Sequence, residues 1–288
     1  MKVIRAKVLG FCMGVRRAVE LACIESERPG RGSIYTLGPL IHNPEVLAEL
    51  KKHGVEIIDE LPQNLKDISI IIRAHGISPD AEKDLIHSGC RVIDATCPRV
   101  KTSQIKAEEL TRAGYFLFLA GEAKHAEITG ILGYAKAGRE NCCVVAGNAV
   151  EAGKEALKLY NTSKNAKTAL IGQTTFREEE YLAIGAAIKK YFPSLEIVRT
   201  ICAAATDRRQ ALRELLDHVD AVVIAGGKES ANTRRLLAIV QERDKPCVLV
   251  ENAREIPTSF RSYKTVGISA GASTPDSVVD EIERELLR

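Results

Sequence analysis

Short apolar runs recur along the chain, and between them lie segments whose apolar positions return every three or four residues. The runs "SIYTL", "VEII", "ISIIIRA" and "RVID" form a first set, and "YFLFLA", "CCVVA", "TALIG" and "LEIVRTI" a second. A third set, "AVVIAG", "PCVLV" and "TVGISA", ends before a fourth member, but "KVIRAKVL" at the other end of the chain supplies one. Runs of this length predict strands, and the segments between them predict amphipathic helices; Leu212, Leu215, Leu216 and Val219 line one such face. Strands alternating with helices predict an α/β fold with mostly parallel sheets. The simplest closure is a ring of three similar α/β units, residues 13–97, 98–201, and 202–288 plus 1–12, the third completed by the N-terminal strand.

Each set delivers one cysteine to a strand-to-helix joint: Cys12 in "LGFCMGVRRA", Cys97 in "VIDATCPRVK" and Cys202 in "VRTICAAATD". Pro98 marks a helix start, since a proline there sacrifices no hydrogen bond, and this makes Cys97 the N-cap. A helix's positive end favours the thiolate. A thiolate so placed is a nucleophile or a metal ligand, and the bland reading is a small buried residue at a strand end.

The functional groups of a parallel sheet gather beyond the carboxyl ends of its strands. Those ends carry His42, His75, His125 with Glu127, Gln173 with Thr174, Ser230 with Asn232, and Ser273. Glycines and new helix N-termini at the same joints leave N–H groups that suit a phosphate or diphosphate. If the ring turns these ends inward, three thiolates meet in a polar cavity. A structural zinc is usually closed by four ligands, whereas a [4Fe–4S] cube held by three leaves one iron open.

Composition narrows the classes. With 45% hydrophobic and 27% charged residues the chain has ample core, and a net charge of +3 with 5% aromatics gives little of the basic, stacking surface that nucleic acid prefers. Eight cysteines with no CxxC spacing point away from short-range zinc or ferredoxin motifs, so a metal site must come from distant segments. No run is apolar for the roughly 18 residues a membrane span needs, and the first residues lack a signal peptide's apolar region. A cytoplasmic location is therefore expected, without membrane or nucleic acid as partner.

"GFCMGVRRA", "HGIS", "DATCPRV", "KHAEITG", "QTTF", "TICAAATDRRQ", "GGKESANTRRL" and "GISAGASTPDSVV" together resemble the 4-hydroxy-3-methylbut-2-enyl diphosphate (HMBPP) reductase family, also called LytB or IspH, in the family's order and through essentially the whole chain. The resemblance implies a trefoil of three α/β units around one [4Fe–4S] cluster with Cys12, Cys97 and Cys202 as ligands. It implies the last step of the non-mevalonate isoprenoid pathway, a two-electron, two-proton reductive dehydroxylation giving isopentenyl and dimethylallyl diphosphate. His42, His75, His125, Ser230, Asn232 and Ser273, with Gln173 nearby, would hold the diphosphate; Thr174 would bond the substrate hydroxyl and Glu127 would feed protons. Ferredoxin or flavodoxin with its reductase would donate electrons, and the chain would act as a monomer or a dimer. Two departures stand out: Ala231 where the family commonly has a second serine, and one extra residue between Cys202 and the Arg-Gln pair, which suggests a later helix start or a bulge.

Other readings stay open on residues alone. Three thiolates and a water could hold a hydrolytic zinc, and a phosphate sensor or RNA-binding module would use the cysteines structurally. Cys23, Cys90, Cys142, Cys143 and Cys247 read as small core residues, His53 and His87 as helix C-terminal residues, and Arg16, Arg17, Lys101, Lys106, Arg208, Arg209, Arg234 and Arg235 as solvated charges.

Overall fold

In the computed structural model the described residues are 1–41, 43–62, 67–228 and 230–288, and of residues 205, 231 and 232 only the backbone is described. In chain order the elements are β1 (Lys2–Arg5), α1 (Met13–Glu27), β2 (Ser33–Leu37), α2 (Pro44–Lys52), β3 (Val55–Ile58), β4 (Ile68–Ile72), α3 (Pro79–His87), β5 (Arg91–Asp94) and α4 (Pro98–Arg112). They continue with β6 (Phe116–Ala120), α5 (Ala126–Gly138), β7 (Cys143–Ala146), α6 (Ala149–Thr162), β8 (Thr168–Gly172), α7 (Glu178–Lys189) and β9 (Glu196–Ile197). The last are α8 (Ala203–Leu216), β10 (Ala221–Ala225), α9 (Ala231–Gln241), β11 (Cys247–Val250), β12 (Thr265–Ala270) and α10 (Asp276–Leu287).

The strands form three four-stranded parallel sheets with one topology: β3-β2-β4-β5, β7-β6-β8-β9, and β11-β10-β12-β1. The third sheet is completed by the N-terminal strand, with Lys2 beside Thr265 and Arg5 beside Ile268. Central strands are buried along almost their whole length, as in "TALIG" and "AVVIA", because helices cover both faces of a parallel sheet.

The ninth strand is shorter than "LEIVRTI" suggested. Past Ile197 the Thr200 hydroxyl accepts from Gly172 N–H and donates to Gly172 carbonyl, both at 2.8 Å, so a side chain replaces the ladder there. The suggested delay or bulge after Cys202 is absent: α8 begins at Ala203 and runs unbroken to Leu216.

The chain divides into two compact units, residues 1–27, 39–56 and 203–288 in one, and 28–38 and 57–202 in the other. The first is built on the sheet of β10, β11, β12 and β1, and Asn43 Nδ2 donates to Ser273 carbonyl within it at 2.7 Å. The second includes a core around Phe118, Leu170, Tyr181 and Ile184, one around Leu117, Leu119, Ile131 and Ile171, and one around Ile70, Ile72 and Leu85. Phe118 is fully buried in mid-strand, so Phe118→Ala is expected to lower the unfolding free energy by about 3–5 kcal/mol, read as a shift of the urea midpoint at constant slope.

Candidate active site

The strand ends repeat the same main-chain device in all three sheets. A glycine follows the first strand of each, Gly38, Gly121 and Gly226, and its N–H donates to the last carbonyl of the outer strand, Ile58, Ala146 and Val250, at 2.8, 3.1 and 2.9 Å. Four residues beyond those glycines stand His42, His125 and Ser230. His42 lies outside the described residues. His125 and Ser230 cap their helices: Nδ1 of His125 accepts from Glu127 N–H at 3.2 Å, and Oγ of Ser230 accepts from Thr233 N–H at 3.3 Å. Asn43 does the same for α2, accepting from Val46 N–H at 3.1 Å. The backbone of Asn232 falls in the first turn of α9.

The third residue past each of β4, β8 and β12 is His75, Thr175 and Ser273. Thr175 was not among the residues expected from sequence. Its offset from the strand end is the signal that finds it. Gln173 Nε2 donates to the Thr175 hydroxyl at 2.9 Å, and Gln173 Oε1 accepts from Glu122 N–H at 3.2 Å, which fixes the amide's orientation.

The three joint cysteines are pinned alike. The N–H of Cys97 donates to Ala74 carbonyl at 3.0 Å, that of Cys202 to Thr174 at 2.7 Å, and that of Cys12 to Ala272 at 3.0 Å. Each acceptor is the second residue past the third strand of its sheet. Around Cys12, the buried Arg208 donates from Nη2 to Gly10 carbonyl at 2.6 Å, and Arg16 pairs with Asp276 at 2.9 Å. Around Cys97, Asp94 accepts from Thr96 N–H at 2.9 Å, while Lys101 Nζ reaches Tyr134 hydroxyl at 2.9 Å, Glu82 at 3.2 Å and Asp94 at 3.4 Å. Arg208 and Lys101 are thus anchors of the cysteine joints rather than solvated charges.

All eight cysteines are free of disulfides. Burial pushes the thiols of Cys23 and Cys247 up and that of Cys143 to about 11, which keeps them protonated and poor metal ligands. Cys90 and Cys142 are buried, with Sγ of Cys142 bonded to Arg139 carbonyl at 2.6 Å. Among the described residues no group of three or more His, Cys, Asp or Glu stands close enough to hold a metal ion. The donor chemistry of Cys12, Cys97 and Cys202, three half-buried thiols at equivalent main-chain positions, fits a thiolate-ligated cluster.

Two polar side-chain pairs stand at strand ends in the second unit. His75 and His125 meet edge to face, with ring centroids 5.3 Å apart and an interplanar angle of 84°. With Nδ1 of His125 accepting from a backbone N–H, the ring in this arrangement carries its proton on Nε2.

Glu127 is 1% exposed, and Thr174 holds both of its oxygens: the Thr174 N–H donates to Oε1 at 2.6 Å and the hydroxyl to Oε2 at 3.0 Å. Burial pushes the carboxyl up to about 7 against the opposing effect of those two hydrogen bonds. Such a group exchanges protons near neutral pH.

The whole chain is similar to known proteins. The family model described as "LytB protein" matches residues 3–287. A 4-hydroxy-3-methylbut-2-enyl diphosphate reductase of Treponema denticola is 45% identical, over 100% of this chain and 99% of that protein. One of Aquifex aeolicus is 40% identical over 99% and 95%. Among solved structures, that of (E)-4-hydroxy-3-methyl-but-2-enyl diphosphate reductase, described as the terminal enzyme of the non-mevalonate pathway, superposes with a TM-score of 0.84 at 38% identity over 100% of this chain and 99% of the other. The Plasmodium falciparum reductase superposes at 0.82 and 25% identity, over 100% and 88%. The family match over residues 3–287 and the full-length likeness to these reductases place this chain in the LytB family.

Proposed function

We propose that the chain is a 4-hydroxy-3-methylbut-2-enyl diphosphate reductase, converting its substrate, two electrons and two protons into isopentenyl or dimethylallyl diphosphate and water. The observation that carries this reading is the buried Glu127–Thr174 pair, a carboxyl whose hold on a proton burial strengthens, hydrogen-bonded to a hydroxyl at the ends of parallel strands. Cys12, Cys97 and Cys202 would hold one [4Fe–4S] cluster. That cluster, when bound, would relay the two electrons one at a time from the external donor and offer an open iron acting as Lewis acid toward the substrate hydroxyl.

The side chains do the rest. Thr174 N–H always donates to Oε1 of Glu127, so an added proton belongs on Oε2. From Oε2 the carboxyl then donates to the Thr174 hydroxyl, which turns its own hydrogen toward the substrate's leaving oxygen. One proton leaves with that oxygen as water, and the second goes to the allylic carbon. His42, His75, His125, Ser230, Asn232 and Ser273 would bind the diphosphate, with Gln173 and Thr175 beside them. Imidazoles suit this role because they gain charge readily beside an anion. Ala231 leaves one hydroxyl contact to the backbone, a loss of on the order of 1 kcal/mol.

No GxGxxG element follows a strand, so electrons would arrive from a ferredoxin or flavodoxin kept reduced by its own reductase. Among the described residues no helix is long and apolar enough to cross a membrane, which is consistent with a cytoplasmic enzyme.

Anaerobic purification followed by iron, sulfide and zinc analysis tests the proposal. About four irons and four sulfides per chain, with a visible spectrum perturbed by HMBPP, are expected; stoichiometric zinc without sulfide would sink it. Cys97→Ser should lose the cluster and the reduction while keeping the fold by circular dichroism. In Glu127→Gln the cluster and substrate binding should survive with turnover suppressed. The same variant reads the buried carboxyl through stability. The folded pKa of about 7 lies above the unfolded value, so wild type should lose stability as pH rises from about 4.5 to about 7, and keep the full penalty above that. Melting temperatures of Glu127→Gln and wild type should therefore diverge in favour of the variant as pH is raised.

A further inference from the structure

Gln104 lies in the interior of α4 and is fully buried. Of the other buried residues of this helix, Val100, Ala107 and Leu110 are apolar, with Ala107 and Leu110 in the core around Ile131 and Ala135, while the hydroxyls of Ser103 and Thr111 bond carbonyls of the helix itself. A leucine or methionine would continue that face without dehydrating an amide. The amide is not even fully satisfied: Nε2 donates to Ile77 carbonyl at a long 3.4 Å, and Oε1 is buried with no hydrogen-bond partner among the described residues.

Two glycines make room for it. A Cβ on Gly76 would stand 2.5 Å from Gln104 Nε2 and 3.0 Å from Cγ2 of Thr96, and one on Gly130 would stand 2.7 Å from the same nitrogen. Gly76 also takes φ +71°, which favours glycine, and closes a turn by donating to Arg73 carbonyl at 2.9 Å. Gly130 sits inside α5, where glycine weakens a helix relative to alanine. An unfavourable glycine in a helix and a buried amide thus meet at one spot. Gly76 is the residue after His75, and Gly130 lies one turn beyond Glu127 on the helix capped by His125.

We infer that Gln104 is a positioning residue for the histidine pair: its carboxamide, lodged between Gly76 and Gly130, holds the turn after His75 against the helix that begins at His125. The 5.3 Å ring contact is the spacing this lodging sets. The inference rests on the reading that these two imidazoles receive the diphosphate, but the lodging itself is testable without it.

The test uses two variants of the full chain. Gln104→Met keeps the volume and removes the amide; Gly130→Ala fills the slot while favouring the helix. For each, the ring NMR signals of the histidines are followed through a titration with inorganic diphosphate, and KM and kcat are measured on the reconstituted holoenzyme beside the melting temperature. The signals of His75 and His125 are expected to move while those of His53 and His87 stay. Diphosphate affinity should fall about tenfold, with KM rising to match and kcat changing less. Unchanged signals and KM in a folded variant would overturn the inference. Should Gln104→Met fail to fold, Gly130→Ala decides alone. A wild type that turns over no HMBPP would defeat the reductase reading and leave the ring signals to decide the role of Gln104.

Discussion

One main-chain hydrogen bond governs where the chemistry can sit. The N–H of each joint cysteine is donated to the carbonyl two residues past the neighbouring strand, Ala74, Thr174 or Ala272. That acceptor stands two residues past a strand buried on both faces, so the backbone of each cysteine is tied to the end of its sheet. Fully buried runs such as Ala169, Leu170 and Ile171 supply the rigidity, and the strand ends inherit it. A ligand set assembled from distant parts of a chain needs this kind of scaffold, because short-range cysteine spacing does none of the positioning.

The groups proposed to bind the diphosphate are already employed. His125, Ser230 and their counterpart Asn43 each accept a hydrogen bond from the first turn of the helix they precede. A helix N-terminus offers N–H groups and a positive partial charge, and a side-chain cap is the intramolecular substitute for an anion. A diphosphate bound as proposed would compete with these caps in the geometry it would occupy. Preorganisation of this sort limits what the protein must rearrange when the anion arrives.

The fold was legible because its signal is blunt: continuous aliphatic runs for buried parallel strands, and a missing fourth run that reappears at the other end of the chain. The cysteine joints were legible because Pro98 and the glycines punctuate them. What escaped did so for physical reasons. The buried face of α4 is Val100, Ser103, Gln104, Ala107, Leu110 and Thr111, with helical spacing but with three hydroxyls or amides in it, so hydropathy reads "PRVKTSQIKAEEL" as polar. Ser103 and Thr111 bond carbonyls of their own helix, and Thr111 also reaches Ala135 on the next at 2.8 Å, which is how polar residues live inside. Arg208 resembled any early-helix arginine until Gly10 carbonyl was placed against it. The membership of residues 39–56 in the unit of the third sheet leaves no local trace, since it depends on tertiary partners such as Ser273.

The pairing of β1 with β12 joins Lys2 to Thr265, nearly the full length of the chain apart. A ribosome therefore releases residues 57–202, with the sheet of β6 to β9 complete, long before the first strand has a partner. Until "TVGISA" emerges, Cys12 lacks the Ala272 carbonyl that orients it. Cys97 and Cys202, whose acceptors Ala74 and Thr174 precede them, need not wait. The timing of translation itself thus makes Cys12 the last of the three joint cysteines to gain its main-chain partner.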